Sequence, residues 1–261
     1  MGKISSLIRD SFGKKRFNSA VILAAGNGTR FSEEKAKQFT EILGVPLLVR
    51  SALAFEESDL IHEIVVVTRS SEIDNCRKML RSYGITKATR IVQGGETRQE
   101  SAKNGFDAVN PACDFVAIHD AARCLVTSEM IEAVIESAYV DGAAVAASKV
   151  TDTIKRTSLS GIVKETISRE DLWAVQTPQV FMADMYRAAA YTAVKDNFAG
   201  TDDSILCERI GFGVRMVDCG RTNIKITYPE DVLFAEKIIE TREKTEKDYE
   251  NRTWLRRTQI L

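Results

Sequence analysis

Val21-Ile22-Leu23-Ala24-Ala25-Gly26-Asn27-Gly28-Thr29-Arg30 is an apolar run that ends in a glycine-bearing turn and an arginine, and Ala36-Lys37-Gln38-Phe39 follows closely. Glycine lets the backbone approach a ligand and turn its N–H groups toward it. Two fixed cations beside such a turn suit a triphosphate better than a neutral sugar. Phe31 stands where a G-x-G-x-x-G fingerprint needs its third glycine, and no Gly-Lys-Ser/Thr follows, so the turn is neither a dinucleotide fingerprint nor a P-loop. Taken alone, the turn also fits a plain strand-to-helix connection with two surface cations.

Outward from this strand (Ala20–Ala25), apolar residues at helical spacing predict a helix near Val45–Phe55. Ile64-Val65-Val66-Val67, within Glu63–Thr68, is a β-branched run suited to a strand buried on both faces of a parallel sheet. A helix over Ser70–Tyr83, stopped by Gly84, precedes a short strand Arg90–Val92 that runs into Gly94-Gly95. Gln99–Val109 reads as helix, Phe115–Ile118 as strand, Ser128–Tyr139 as helix and Ala143–Val150 as strand. The alternation implies an α/β, doubly wound, mostly parallel sheet. Ligands of such sheets collect at the carboxyl ends of the strands. The Gly26 turn, the Gly94-Gly95 turn and His119-Asp120 each follow a strand's carboxyl end, so the three are expected to converge.

Thr151–Trp173 breaks the alternation. Thr153–Thr157 and Ile162–Thr166 alternate in β fashion around Ser160-Gly161 with no helix between them. A lone two-stranded hairpin is marginal in water, and a second subunit is the economical surface for it to pack on. Next come a loop at Gln176-Thr177-Pro178-Gln179, a helix from Ala183 to Val194, a short helix opened by Thr201-Asp202-Asp203 and a strand Val214–Val217. Asn223–Thr227 is extended, and Pro229-Glu230-Asp231 launches a last helix that becomes charge-dense from Glu240 and gives way to a loose tail at Trp254–Leu261. The expected division is an N-terminal extension at 1–17, the main domain at 18–240 with an arm at about 151–173, and a charged tail at 241–261.

Composition narrows the function classes. The chain has 261 residues, and its formal net charge of −1 argues against bulk attraction to nucleic acid. No apolar run is long enough to span a bilayer. The five cysteines are scattered without a C-x-x-C, which reads as reduced thiols in a cytoplasmic protein. Two histidines, His62 and His119, exclude a His-rich zinc site, and no G-x-S-x-G elbow is present. Met1-Gly2-Lys3-Ile4-Ser5-Ser6 fits the loose myristoylation pattern, but a frayed or peripherally docked helix is the preferred reading of the extension.

The motifs Ala24–Arg30, Lys37-Gln38-Phe39, Gly94-Gly95-Glu96-Thr97-Arg98-Gln99-Glu100-Ser101, His119-Asp120-Ala121-Ala122-Arg123, Asp152-Thr153-Ile154-Lys155, Gln176-Thr177-Pro178-Gln179 and Asn223-Ile224-Lys225-Ile226-Thr227 occur in an order similar to one family. From about Asn18 to Ile239 the chain resembles the 2-C-methyl-D-erythritol 4-phosphate cytidylyltransferases of the non-mevalonate isoprenoid pathway. The resemblance implies a Rossmann-like nucleotidyltransferase sheet with a protruding β-hairpin dimerisation arm. It implies transfer of CMP from CTP to 2-C-methyl-D-erythritol 4-phosphate, with release of pyrophosphate. Such a nucleophile is already ionised, so no general base is needed, and positioning plus electrostatics supply the rate.

The same resemblance implies roles by residue. Ala24, Ala25 and Gly26 give backbone contacts to the nucleotide, and Gly95, Glu96 and Ser101 line the cytosine and ribose pocket. Arg30 and Lys37 neutralise the triphosphate, and Lys225 bridges the substrates. Asp120, with Ala121 beside it, lies near the nucleotide phosphates, and Mg2+ is held mainly by the triphosphate with no dedicated protein metal site. Arg123, Thr153, Arg169 and Thr177 bind the methylerythritol phosphate, Thr153 and Arg169 reaching a neighbour's site in a homodimer. Cys124 replaces the proline usual after the His119–Arg123 motif, which removes a rigid φ from that loop. Read without the family, His119 is a strand-end hydrogen bonder, Asp120 a turn cap, and Thr153 and Arg169 ordinary hairpin surface. A ribitol 5-phosphate cytidylyltransferase and a non-catalytic nucleotide-binding homologue are the rival readings.

Overall fold

The computed structural model describes residues 16–26 and 37–258. Its strands are β1 (Asn18–Leu23), β2 (Glu41–Ile42), β3 (Val45–Pro46), β4 (Glu63–Thr68), β5 (Ala88–Gln93), β6 (Phe115–Asp120), β7 (Ala143–Lys149), β8 (Ile154–Thr157), β9 (Val163–Ile167), β10 (Trp173–Met182) and β11 (Arg215–Asp218). Between and after them lie helices α1 (Leu47–Glu57), α2 (Ile73–Ser82), α3 (Arg98–Asp107), α4 (Ser128–Asp141), α5 (Ala183–Lys195), α6 (Ser204–Arg209) and α7 (Asp231–Thr258). The main sheet has the order β11-β7-β10-β6-β1-β4-β5.

The expected doubly wound, mostly parallel sheet is present. β1 lies parallel between β4 and β6, and the β4–β5 and β7–β11 pairs are parallel too. Strand periodicity sends alternate side chains to opposite faces. Ile22, Ile64 and Val66 pack with α1, α2 and α4 on one face, while Val21, Val65 and Val67 pack with α3, α5 and α6 on the other. Burying each such aliphatic side chain contributes about 1.5–3 kcal/mol. After β5 the chain crosses to the far side of β1 to form β6, so the order reverses between β1 and β6. That reversal creates the crevice in which doubly wound folds hold ligands.

Two expectations need correction. Gln176-Thr177-Pro178-Gln179 is not a loop: it lies inside β10, antiparallel to both β6 and β7. Proline has no N–H for a sheet ladder, and the β10–β7 register shifts between Val175 and Gln179, where Pro178 sits. The segment expected to be a loose tail from Trp254 is helical as far as Thr258, because α7 runs unbroken from Asp231, and residues 259–261 lie outside the described residues. No glycine or proline interrupts α7, and Glu, Lys and Arg are good helix formers. Arg242 fixes this helix to the body, donating to the Leu125 carbonyl at 2.8 Å and to Thr222 Oγ1 at 2.9 Å. Residues 1–15 of the expected extension lie outside the described residues.

The hairpin β8–β9 is a separate two-stranded sheet that leaves the main sheet between β7 and β10. Its own contacts are polar, as in the Arg156–Glu165 ion pair at 2.8 Å and the Lys155 Nζ donation to Thr166 Oγ1 at 2.6 Å. Leu159 is fully exposed, and Ile162 and Val163 are more than half exposed.

Candidate active site

A cleft of about 970 Å³ opens at the carboxyl ends of β1, β4, β5 and β6. Backbone hydrogen bonds fix the chain segments that leave these strands. Ala24 N donates to Val67 O at 2.7 Å, Ala121 N to Leu23 O at 3.0 Å, and Gly94 N to Thr68 O at 2.9 Å. A Cβ on Gly94 would fall 2.5 Å from the Ala25 Cβ, so two of the turns touch only because this residue has no side chain. The convergence expected from strand ends alone is therefore observed, with Ala24, Ala25, Gly26, Gly95, Glu96, Ser101, Asp120, Ala121 and Lys225 all on the cleft wall.

One wall is the start of α3. Thr97 Oγ1 accepts from Glu100 N, and the Glu100 carboxylate accepts from Glu96 N at 2.8 Å and Thr97 N at 3.4 Å. This capping box ties the glycine turn to the helix start. Gly95 N donates to Ser101 Oγ at 3.1 Å, which places the next turn of the helix under the loop.

Asp120 forms the floor as the last residue of β6, paired in register with Leu23. Its Oδ2 accepts from Lys225 Nζ at 2.6 Å and its Oδ1 from Arg98 Nε at 3.0 Å. Burial by itself would raise the Asp120 carboxyl, but the charges of Arg98 and Lys225 outweigh it and hold it well below the usual carboxylate range. Asp120 is thus ionised whenever the protein is folded near neutral pH.

The residues behind Asp120 are locked. Asp120 N donates to Thr177 Oγ1 at 3.1 Å, and the same hydroxyl is 3.0 Å from His119 Nδ1. Thr177 is buried within the wall, not set on the cleft surface, because its hydroxyl is already engaged by β6. His119 is fully buried against Phe55, and burial foremost pushes its ring down to about 3. It is neutral at any pH near 7, in keeping with a structural hydrogen bonder. His62, the other histidine, accepts from Asn18 N on Nδ1 and does not line the cleft.

Arg123 lies off the cleft wall. Its guanidinium donates to the Asn223 carbonyl at 2.8 Å and the Val175 carbonyl at 3.3 Å, joining the segment that carries Lys225 to the root of the arm. Thr153 and Arg169 are exposed on the arm, where Arg169 Nη1 donates to Thr151 O, and this chain does not bring them to its own cleft. Arg30 and the Lys37 side chain lie outside the described residues. The backbone of Lys37 opens the turn Lys37–Phe39, and Gln38 lines the cleft.

Arg98 is the main residue that sequence reasoning left without a role. It sits inside the Gly94–Ser101 motif, yet its two carboxylate partners are 22 and 105 residues away. A lone arginine at the start of a helix gives no local sign of such a pairing.

Comparison with known proteins agrees with this geometry. The family model for 2-C-methyl-D-erythritol 4-phosphate cytidylyltransferase matches residues 19–241. A protein of that name from Caldanaerobacter subterraneus subsp. tengcongensis is 45% identical over 222 residues, which cover 85% of this chain and 98% of the relative. Another, from Halalkalibacterium halodurans, is 41% identical over 226 residues, with 87% and 98% covered. The crystal structure of 4-diphosphocytidyl-2C-methyl-D-erythritol synthase from Anaerococcus prevotii superposes with a TM-score of 0.77 at 30% identity, covering 87% of this chain and all of that one. The sheet, the cleft at its switch point and these matches agree, and the chain belongs to the 2-C-methyl-D-erythritol 4-phosphate cytidylyltransferase family.

Proposed function

We propose that this chain transfers the cytidylyl group of CTP to 2-C-methyl-D-erythritol 4-phosphate, giving 4-diphosphocytidyl-2-C-methyl-D-erythritol and pyrophosphate. The observation that carries the reading is the convergence of the glycine turns with Asp120, Arg98 and Lys225 in one cleft. A phosphate oxygen of the alcohol attacks the α-phosphorus, a new P–O bond forms, and the α–β bridging bond breaks with pyrophosphate leaving. The nucleophile needs no base, and neither histidine lines the cleft. Catalysis reduces to holding two polyanions together while charge builds on the α-phosphate.

In this reading Ala24, Ala25 and Gly26 offer backbone N–H groups to the phosphates, and Gly95, Glu96 and Ser101 receive the base and ribose. Lys225, half-exposed beside Asp120, bridges the two substrates, joined by Arg30 and Lys37. Arg123 and Thr177 brace the methylerythritol side, and Thr153 with Arg169 complete the site of a second subunit through the arm. Mg2+ would be carried mainly by the triphosphate, with Asp120, on the cleft floor, near the phosphates that hold it. When bound, the ion would neutralise phosphate charge.

The partners are CTP, the sugar-alcohol phosphate and a second copy of the chain, without nucleic acid or membrane. A cytoplasmic setting is proposed from the scattered cysteines, which include no C-x-x-C; among the described residues no helix is long and apolar enough to cross a membrane.

The test is CTP-dependent pyrophosphate release across a panel of polyol phosphates. Methylerythritol phosphate is expected to give the highest kcat/KM. Preference for ribitol 5-phosphate, or calorimetric CTP binding without turnover, overturns the reading.

A further inference from the structure

Asp203 is fully buried and does not line the cleft, yet it is bonded to the cleft's central pair. Its Oδ2 accepts from Arg98 Nη1 at 2.7 Å, and its Oδ1 accepts from the Tyr186 hydroxyl at 2.8 Å. Its backbone N–H donates to Gln179 Oε1 at 3.0 Å, an acceptor shared with Ser204 N at 3.0 Å. Gln179 in turn donates to Asp202 Oδ2 at 2.8 Å. Tyr186 is itself wedged between Phe106 and Phe181. Each oxygen of the Asp203 carboxylate is therefore held by a partner, and its backbone is held by Gln179.

Arg98 joins this anchor to the cleft. A guanidinium is a rigid planar fork, so fixing Nη1 on Asp203 also fixes where Nε meets Asp120 Oδ1. Among the described residues Arg98 Nη2 takes no protein partner, although Arg98 lines the cleft. A lysine could not span two carboxylates in this way. The two cations Arg98 and Lys225 are balanced by the two carboxylates Asp120 and Asp203, so the cleft floor is close to neutral before substrate arrives.

We propose that Asp203 is a positioning residue for the transfer reaction. Through Arg98 it fixes the Asp120 carboxylate and, by way of that carboxylate, the resting place of Lys225. Its charge also keeps the floor from gripping the triphosphate too tightly in the ground state. The proposal rests on the assignment of Asp120 and Lys225 to the transfer site.

Asp203→Asn keeps the size of the side chain and removes the charge. Steady-state kinetics with CTP and methylerythritol phosphate are expected to show kcat falling by about 10-fold or more while KM for CTP stays level or drops, since ground-state attraction is kept and orientation is lost. A double-mutant cycle with Arg98→Met tests the route: Asp203→Asn is expected to have little further effect on kcat once Arg98 is gone. Because Arg98→Met leaves Asp120 and Asp203 without their shared cation, thermal melting accompanies every variant. Tyr186→Phe serves as a milder probe that leaves Arg98 untouched, with kcat expected to fall about 2- to 5-fold at unchanged KM. The proposal is overturned by equal fold losses with and without Arg98, or by variants that lower the melting temperature while kcat is intact. The wild-type enzyme is assayed in parallel. Its activity with these substrates tests the transfer reaction separately, so a failed cycle on an active enzyme removes only the role of Asp203.

Discussion

The cleft and the arm lie next to each other in the chain and follow opposite rules. At the cleft, charged side chains are held by several partners each: Asp120 by Arg98, Lys225 and the Thr177 hydroxyl, and Arg98 by two carboxylates. On the arm, Leu159, Ile162 and Val163 are exposed, and the polar side chains pair within the hairpin itself, as in Arg156–Glu165 and Lys155–Thr166. Electrostatic preorganisation is effective only where the groups cannot relax, so the cleft is built into the sheet. The arm is a separate two-stranded sheet, and a two-stranded ribbon alone in water is poorly stabilised. The contrast teaches that the cleft floor is held within this chain, whereas the arm leaves its apolar side chains exposed.

The sharpest way to break that contrast is subunit mixing. Lys225→Ala disables the cleft and is expected to lower kcat by about 100-fold or more, and Arg169→Ala disables the arm with a loss of at least about 10-fold. If the arm serves a neighbour, each mixed dimer has one intact cleft facing one intact arm. Half of randomly mixed dimers are heterodimers with one good site of two, so activity is expected to recover to about a quarter of wild type. Activity no higher than the two parents' average would mean that each chain is self-contained.

A smaller effect separates assembly from folding. Leu159→Ser combined with Ile162→Ser removes exposed apolar surface from the arm alone. If the proposed dimer forms through the arm, sedimentation or light scattering is expected to show weaker association while the melting temperature of the separate chain changes little. An unchanged dimer would leave the exposed side chains without this purpose.

The smallest expected effect lies behind the cleft, and its sign follows from burial. The His119 ring sits at about 3 in the folded chain against an ordinary 6.5. Below pH 6.5 the unfolded chain takes up a proton that the folded chain refuses, so stability falls as pH drops toward about 3. His119→Asn, which keeps a polar atom toward Thr177, is expected to flatten the slope of unfolding free energy between about pH 6.5 and 5, measured by denaturant titration. The arm contains no histidine, so arm variants are expected to leave that slope alone. An unchanged slope in His119→Asn breaks the assignment.

Much of the cleft was legible in the chain because its signals are local. A β-branched run such as Ile64–Val67 marks a strand buried on both faces, and glycine turns after strands mark places where backbone can meet a ligand. The expected helices differ from the observed ones by a few residues at their ends, where caps and packing share the decision; Ser70–Glu72, for instance, forms a separate 3-10 turn ahead of α2. The His119-Asp120 pair belongs to β6, not to the turn after it, since pairing with β1 carries the strand to Asp120.

What the sequence determined by itself was the alternation of strands and helices, the glycine turns at strand ends and the hairpin that interrupts them. These depend on residues within a turn or two of each other. The tertiary structure alone decided that β10 enters the sheet antiparallel with Pro178 at its irregularity, that α7 runs on to Thr258, and that Asp203 meets Arg98 across 105 residues. A side chain's charge is written locally, but its partner is chosen by which strands become neighbours, and no short-range pattern encodes that order.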